Sequence, residues 1–333
     1  MIDRLRPHPH RGDVIAAGAV PLAVAAVVIE LRMTQWSLGP RFAVVALIAL
    51  LLVTMGWLAE LEGEAPRAYH SMLLVSGLVP LLVALVLFAE VLGSSRPPGA
   101  GGFAWVFAVE ALIALAAGRR ANSGVCTLIA ALAAAVAVEA FVAWVFEPHG
   151  VGTFRAILLL LTLVFAAGAL CLRDRRRRHA VQLINAAGIV SLVLGATYLL
   201  AAAVSSALHA TSGFLSYGPQ VTAPFGWKLY LVAVGLGLIA YAAVDREWGP
   251  AYIGVAVLAT FTLLVGLPTS ARGSLVGWPL FLLIVGGVGL AIGLRPIRPL
   301  PPEPPTRPLP PEPPTRPLPP EPPTRPLPPE PAP

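Results

Sequence analysis

The run Met72-Leu-Leu-Val-Ser-Gly-Leu-Val-Pro-Leu-Leu-Val-Ala-Leu-Val-Leu-Phe-Ala-Glu-Val-Leu92 decides the fold of this chain. A helix needs about 20 predominantly apolar residues to cross a hydrocarbon core about 30 Å thick. Inside that core an unpaired backbone N–H or C=O group costs several kcal/mol, so a single crossing segment is helical. The run therefore predicts a transmembrane helix.

Comparable runs lie on both sides of it, so the sequence predicts an all-α, polytopic integral membrane helix bundle with about ten transmembrane helices. Its parts are a cytoplasmic N-terminus at 1–13, a transmembrane domain at 14–294 and a disordered, proline-rich tail at 295–333. Arginines precede the first run as in a signal peptide, but the run is longer than a usual signal core and no Ala-x-Ala site is followed by a polar mature domain, which favours an uncleaved first span. The predicted spans are Val14–Leu31, Phe42–Ala59, Met72–Leu92, Phe103–Gly118, Val125–Phe146, Ala156–Leu172, Ala180–Leu208, Leu229–Val244, Ala251–Leu267 and Leu275–Leu294.

The charges exclude a soluble protein and predict an orientation. Charged residues make up 12% of the chain, against about 25% in a typical soluble domain. Because cytoplasmic loops are enriched in Lys and Arg, we expect a multi-pass cell membrane protein with both termini in the cytoplasm. The basic run Arg173–Arg178 then serves topology, and no nucleic-acid partner is expected. Arginine outnumbers lysine 22 to 1, which is typical of a GC-rich bacterial genome. Of the 23 basic residues, 17 fall on the cytoplasmic side and six on the outer side: Arg32, Arg41, Arg96, Arg155, Lys228 and Arg272.

Three predicted cytoplasmic turns resemble one another, with an apolar helix end followed by basic residues. They are Leu115–Arg120, Leu172–Arg177 and Tyr241–Arg246. Two interpretations stay open. Either the chain consists of repeated helical hairpins, or selection for basic cytoplasmic loops has made the turns alike. We favour the second interpretation.

Glu110 is the one charge that the sequence places deep inside a span. It lies eight residues before Gly118, or about 12 Å from the inner end of its helix at 1.5 Å per residue. Ionisable side chains at this depth are rare and often functional, because they must be paired or protonated. Glu110 is therefore a candidate proton carrier. The alternative is a protonated acid that is hydrogen-bonded to a neighbouring helix.

The seventh span carries one face of mostly small residues at spacings of three and four. Small residues let helices approach closely, which favours a packing role for this face. The alternative is the wall of a polar pathway, with Ser191 and Tyr198 as candidate functional residues. The face comprises Gly188, Ser191, Gly195, Tyr198, Ala202 and Ser205.

Three acidic residues, Glu30, Glu90 and Glu139, lie near the outer ends of helices that run outward. A helix C-terminus carries a partial negative charge that disfavours an anion, so we expect compensating partners. The favoured interpretation is interfacial acids that extend toward the headgroups, and the alternative is a cation site. Arginines that could pair with them on the same side are Arg32, Arg96 and Arg155.

The tail repeats Arg-Pro-Leu-Pro-Pro-Glu-Pro-Pro-Thr three times from Arg298, and a fourth copy, Arg325–Pro333, differs only in its last two residues. Polyproline II has three residues per turn, so each nine-residue repeat presents the same faces. The Arg-x-x-Pro-x-x-Pro layout suits the aromatic grooves that bind proline-rich segments. A protein partner would then dock on Arg298, Arg307 and Arg316. A solvated spacer without a partner is the alternative.

The sequence carries no catalytic or metal-binding signature: His-Glu-x-x-His is absent, and Cys126 and Cys171 stand alone. We therefore expect no cofactor, and an enzyme is the least favoured class. The favoured function is a non-catalytic membrane scaffold or accessory subunit, whose partners are the lipid bilayer and a protein bound by the tail. The alternative is a small-solute or ion transporter that uses Glu110 and the polar face of the seventh helix. A transporter requires a midplane cavity that water reaches and that polar groups line, whereas the helices of a scaffold pack together without such a cavity.

Overall fold

A computed structural model describes residues 12–33, 35–59, 68–211, 223–266 and 284 of the chain. Contacts divide the chain into two compact units, Met1–Gly273 and Ser274–Pro333, and the fold below is that of the first unit. All regular elements among the described residues are helices. The predicted tenth span, Leu275–Leu294, lies outside the described residues apart from Ile284, and the proline-rich tail lies wholly outside them.

The described residues form nine α-helices, and each is long and apolar enough to cross a membrane. This result confirms the all-α, multi-pass class. Each helix begins one to five residues before the predicted span, because residues outside the apolar run, such as Arg41 and Arg155, also adopt helical conformation. The helices are α1 (Gly12–Arg32), α2 (Leu38–Leu58), α3 (Ala68–Val91), α4 (Ala100–Ala121), α5 (Gly124–Phe146), α6 (Val151–Leu172), α7 (Arg177–Thr211), α8 (Phe225–Asp245) and α9 (Trp248–Gly266).

Apolar side chains face outward at the middle of several helices. Leu47 in α2, Leu112 in α4 and Leu160 in α6 are 69%, 67% and 59% exposed. Exposed apolar surface on this scale marks an environment other than water. At mid-helix depth that environment is the hydrocarbon of a bilayer.

The nine helices form two rows. The odd-numbered helices α1, α3, α5, α7 and α9 make one continuous row in which each contacts the next. Each even-numbered helix packs between two members of that row. The central helices α3, α5 and α7 each contact two helices before them and two after them. The α3 and α7 spans are the most buried of the described spans, at 56% and 39%.

The pairing of helices repeats with a period of four. The pairs α1–α3, α2–α3 and α4–α5 recur as α5–α7, α6–α7 and α8–α9. Equivalent turns follow: α4 ends at Asn122 and α8 at Arg246, both left-handed residues, and each turn has two residues. The cap N–H groups bond to the carbonyl oxygens of Gly118 and Ala242, which satisfies carbonyls that a helix end leaves free. The recurrence supports the interpretation of repeated helical hairpins.

The two ends of the rows differ in charge. One end holds the α4–α5, α6–α7 and α8–α9 turns and is called the arginine-rich end below. The opposite end holds Glu30 and Glu90, at the last turns of α1 and α3. The arginine-rich end carries Arg119, Arg120, Arg173, Arg175, Arg176, Arg177, Arg178 and Arg246.

Glycines set the closest helix approaches. A Cβ atom added to Gly254 of α9 would lie 2.8 Å from the carbonyl oxygen of Gly235 in α8. On the small-residue face of α7, a Cβ on Gly188 would lie 2.6 Å from Ile253, and one on Gly195 would lie 2.7 Å from Thr260. Close packing of backbones is the usual basis of helix association in lipid. These two glycines of α7 therefore pack against α9.

Replacing Gly254 with isoleucine is expected to lower the free energy of unfolding by about 1–3 kcal/mol, because the backbones of α8 and α9 must separate. The matched control is Gly237→Ile in α8, where an added Cβ meets nothing within 4 Å. Thermal unfolding of the detergent-solubilised chain measures both. Equal melting temperatures for the two variants would contradict the packing described here.

Candidate functional site

Glu110 lies in the middle of α4 and is 2% exposed. Its Oε2 atom is buried and has no hydrogen-bond partner. The side chain borders a cavity of about 230 Å³ between α3, α4 and α5, which is called the Glu110 cavity below. Glu110 is the polar member of the residues that line it. The others are Leu78, Val79, Leu82, Phe107, Ile129, Leu132, Ala133 and Val136.

The local sequence explains why Glu110 finds no partner. It shares the buried stripe of α4 with Val106 and Ala114, one turn away on either side. That stripe meets an apolar cluster of α3 and α5 side chains that includes Leu78 and Ala130. The Oε2 atom therefore has no hydrogen-bond partner among the described residues, since the side chains that line the cavity with Glu110 carry no polar group.

Glu139 lies in α5, and both of its carboxylate oxygens are buried without a hydrogen-bond partner. Arg155, one of the three arginines that could have compensated these acids, does not pair with Glu139. The Arg155 guanidinium instead donates to the Thr197 hydroxyl at 3.0 Å and lies 3.5 Å from the centre of the Tyr198 ring. The sequence placed Arg155 at the same end of the helices as Glu139 but gave no information on which helix faces it.

Glu30 and Glu90 take part in an ion-pair cluster at the opposite end. Arg96 contacts Glu30 at 2.5 Å and Glu90 at 3.5 Å, so the predicted pairing of these acids with Arg96 is present. Arg41 contacts Glu30 at 3.3 Å and is 5% exposed. The sequence predicted a loop position for Arg41, and Arg41 was therefore missed as a partner of Glu30. Its position directly before the apolar run that begins at Phe42 was a usable signal.

Ser191 is fully buried in the middle of α7 and joins three helices. Its hydroxyl lies 2.7 Å from the Tyr230 hydroxyl of α8 and 3.3 Å from the Thr162 hydroxyl of α6. Ser191 also donates to the carbonyl oxygen of Ala187 at 2.9 Å. The polar atoms that meet at this depth therefore bond to one another. The group Thr162, Ser191 and Tyr230 is called the hydroxyl cluster below.

Tyr198 lies nearer the opposite end of α7. Besides the Arg155 guanidinium it contacts the Trp227 ring, whose centre is 6.2 Å away, and Trp227 in turn meets Tyr230 at 6.0 Å. A cation over an aromatic face is an attractive contact. The two α7 candidates, Ser191 and Tyr198, thus belong to one chain of contacts along α6, α7 and α8. Glu110 lies in the separate α3–α4–α5 group.

The arginine-rich end has a polar cluster that the sequence did not reveal. His179 of α7 lies 2.6 Å from the Thr127 hydroxyl through Nδ1 and 3.0 Å from the side-chain amide oxygen Oδ1 of Asn122 through Nε2. These two bonds suit the neutral ring with its proton on Nε2, which donates to Asn122. The cluster joins α7 to the α4–α5 turn. His179 is 52 residues from Thr127 and 57 from Asn122, so no local sequence pattern predicts these contacts.

Charge compensation at the same end comes from α8. Arg173 donates to the Asp245 carboxylate at 2.7 Å, and Arg177 donates to the Asp245 carbonyl oxygen. The hydrogen bond that Arg173 donates to Asp245, together with the negative charge of that carboxylate, raises the pKa of Arg173 above its ordinary value. The basic run after α6 is thereby anchored to the end of α8.

Metal binding receives no support from the described part of the chain, where no three His, Cys, Asp or Glu side chains come together. Cys126 is buried and Cys171 exposed, and neither forms a disulfide. The tail candidates Arg298, Arg307 and Arg316 lie outside the described residues. In comparisons with known proteins, the chain matches no family model and no curated protein.

Proposed function

We propose that this chain is a non-catalytic membrane scaffold or accessory subunit. The observation that carries the proposal is the hydroxyl cluster: the Ser191 hydroxyl lies 2.7 Å from that of Tyr230 and 3.3 Å from that of Thr162, and Ser191 and Thr162 each donate to a backbone carbonyl oxygen of their own helix at 2.9 Å. Polar atoms used in this way hold helices together in lipid and are not free for a solute. The glycine contacts of α7 with α9 support the same packing role.

The orientation within this proposal follows the charges. The arginine-rich end faces the cytoplasm, since positive residues are retained there, and the membrane is the cell membrane. Reporter fusions after Arg178 and after Pro333 are expected to report the cytoplasm, and one at Tyr217 the outside. Cleavage of the tail by protease added to intact spheroplasts would contradict this orientation.

In this proposal the partner of the scaffold is a protein that binds the tail. Its repeated Arg-x-x-Pro-x-x-Pro layout would bind a protein with an aromatic groove, and several copies on one chain raise the effective affinity. Binding of the Arg298–Pro333 peptide to such a protein is expected to fall when Arg298, Arg307 and Arg316 are replaced with alanine. Undiminished binding would remove these arginines from the docking mode.

A transporter is the second candidate function, and the observation that favours it is Glu110, a midplane carboxyl with an unpartnered oxygen beside a cavity. Such a group can exchange a proton when water reaches it. The two functions predict different ion fluxes.

Proteoliposomes that contain a pH-sensitive dye distinguish them. As a scaffold, the full-length protein is expected to dissipate an imposed pH gradient no faster than protein-free liposomes do. As a proton-coupled transporter it accelerates dissipation, and Glu110→Gln abolishes the acceleration because the amide keeps the size but does not titrate. Acceleration that Glu110→Gln removes would overturn the scaffold proposal.

A further inference from the structure

The Glu110 cavity opens toward lipid. Two of its lining residues, Val79 of α3 and Val136 of α5, are 46% and 42% exposed, although both lie within membrane-spanning helices. Surface exposed at that depth contacts hydrocarbon. The mouth of the cavity is therefore reached from the bilayer and not from either aqueous side.

The cavity presents one charge-bearing group in an apolar wall. Glu110 is only 2% exposed, and its Oε2 atom has no hydrogen-bond partner. The other lining residues carry neither a positive charge nor a side-chain donor. An ionised carboxylate in such surroundings is strongly disfavoured unless a cation pairs with it. A proton or a cation can complement the carboxyl, and a cation that reaches this apolar cavity must bring its own apolar body.

Phe107 makes the site more selective for a cation. It lines the same cavity three residues before Glu110, a spacing that places two side chains on one helix face. An aromatic ring attracts a cation that approaches its face. A carboxylate and an aromatic ring on one wall are together suited to an ammonium group.

From these features we propose that the Glu110 cavity binds a lipophilic ammonium ion that enters from the bilayer, with the ammonium on Glu110 and the apolar body between α3 and α5. A cavity of about 150 Å³ holds benzene, so 230 Å³ accommodates a compact hydrocarbon amine. An amino phospholipid does not fit, because its headgroup stays at the interface, about 15 Å from the midplane of a ~30 Å core. This inference does not rest on the scaffold function.

The test uses the full-length protein in nanodiscs and radiolabelled 1-aminoadamantane as the probe, with protein-free nanodiscs subtracted. One saturable site per chain is expected. Glu110→Gln should weaken binding at least about tenfold, because it removes the charge pair in a low-dielectric site. Glu110→Asp, which retains the charge on a shorter side chain, should weaken it less.

Two matched controls keep the test specific. Glu139→Gln removes the other carboxyl whose oxygens are buried without partners, and it should leave binding unchanged. The neutral isostere 1-adamantanol should not compete. The absence of a saturable site, an unchanged affinity in Glu110→Gln, an equal loss in Glu139→Gln, or equal competition by the alcohol would each overturn the proposal.

Discussion

Glu30→Gln is expected to lower the free energy of unfolding by about 3–5 kcal/mol, because it deprives a buried guanidinium of its charge partner. Arg41 is 5% exposed and contacts Glu30 through two oxygens at 3.3 Å each. Its Nε atom already lacks a hydrogen-bond partner. The amide of glutamine still accepts one bond but carries no charge. Reversible unfolding in mixed detergent micelles measures the difference from the unsubstituted protein.

Glu90→Gln is the matched control in the same ion-pair cluster. Glu90 contacts Arg96 at 3.5 Å, and the Arg96 side chain is 51% exposed. The Glu90 side chain is only 9% exposed, but Arg96 keeps its contact with Glu30 and is hydrated when released, so we expect a loss of about 0–1 kcal/mol. If Glu30→Gln and Glu90→Gln destabilise the protein equally, the burial of Arg41 does not control the stability of the cluster.

Glu110→Met is expected to have the opposite sign and to stabilise the folded protein by about 1–3 kcal/mol. The substitution keeps the length of the side chain and removes an unpartnered carboxyl from apolar surroundings, whose burial carries a desolvation cost of that order. Leu112→Met is the control, because Leu112 faces lipid on the same helix. Thermal unfolding in detergent, without added amine, gives both values. A destabilised Glu110→Met variant would indicate that the acid makes a favourable contact in the folded state.

Helix existence and approximate depth were predictable from the sequence because both depend on composition along one segment. Glu110 shows this well: counting residues placed it at mid-membrane depth, and it lies in the middle of α4. Helix ends were less predictable. Arg41 and Arg155 belong to the first turns of α2 and α6, although their charge excluded them from the predicted spans.

The lateral order of helices was not predictable, and the site depends on it. Hydropathy is the same whether α6 faces α5 or α7, so it could not show that Arg155 meets Tyr198 in place of Glu139. The absence of a partner for Glu110 likewise follows from which side chains of α3 and α5 face it. In the sequence, the four-helix period is visible only as the similarity between the turns Leu115–Arg120 and Tyr241–Arg246.

Water access at Ser191 tests the packed, scaffold-like array most directly. Single cysteines at Ser191 and at the exposed Ser95 are introduced after Cys126 and Cys171 are replaced with alanine, and a membrane-impermeant thiosulfonate is applied from both sides. We expect labelling at position 95 and none at position 191 until the protein is unfolded in detergent, because Ser191 is 0% exposed and bonded within the hydroxyl cluster. Labelling at position 191 in the folded protein would reveal a water-filled pathway and contradict the scaffold account.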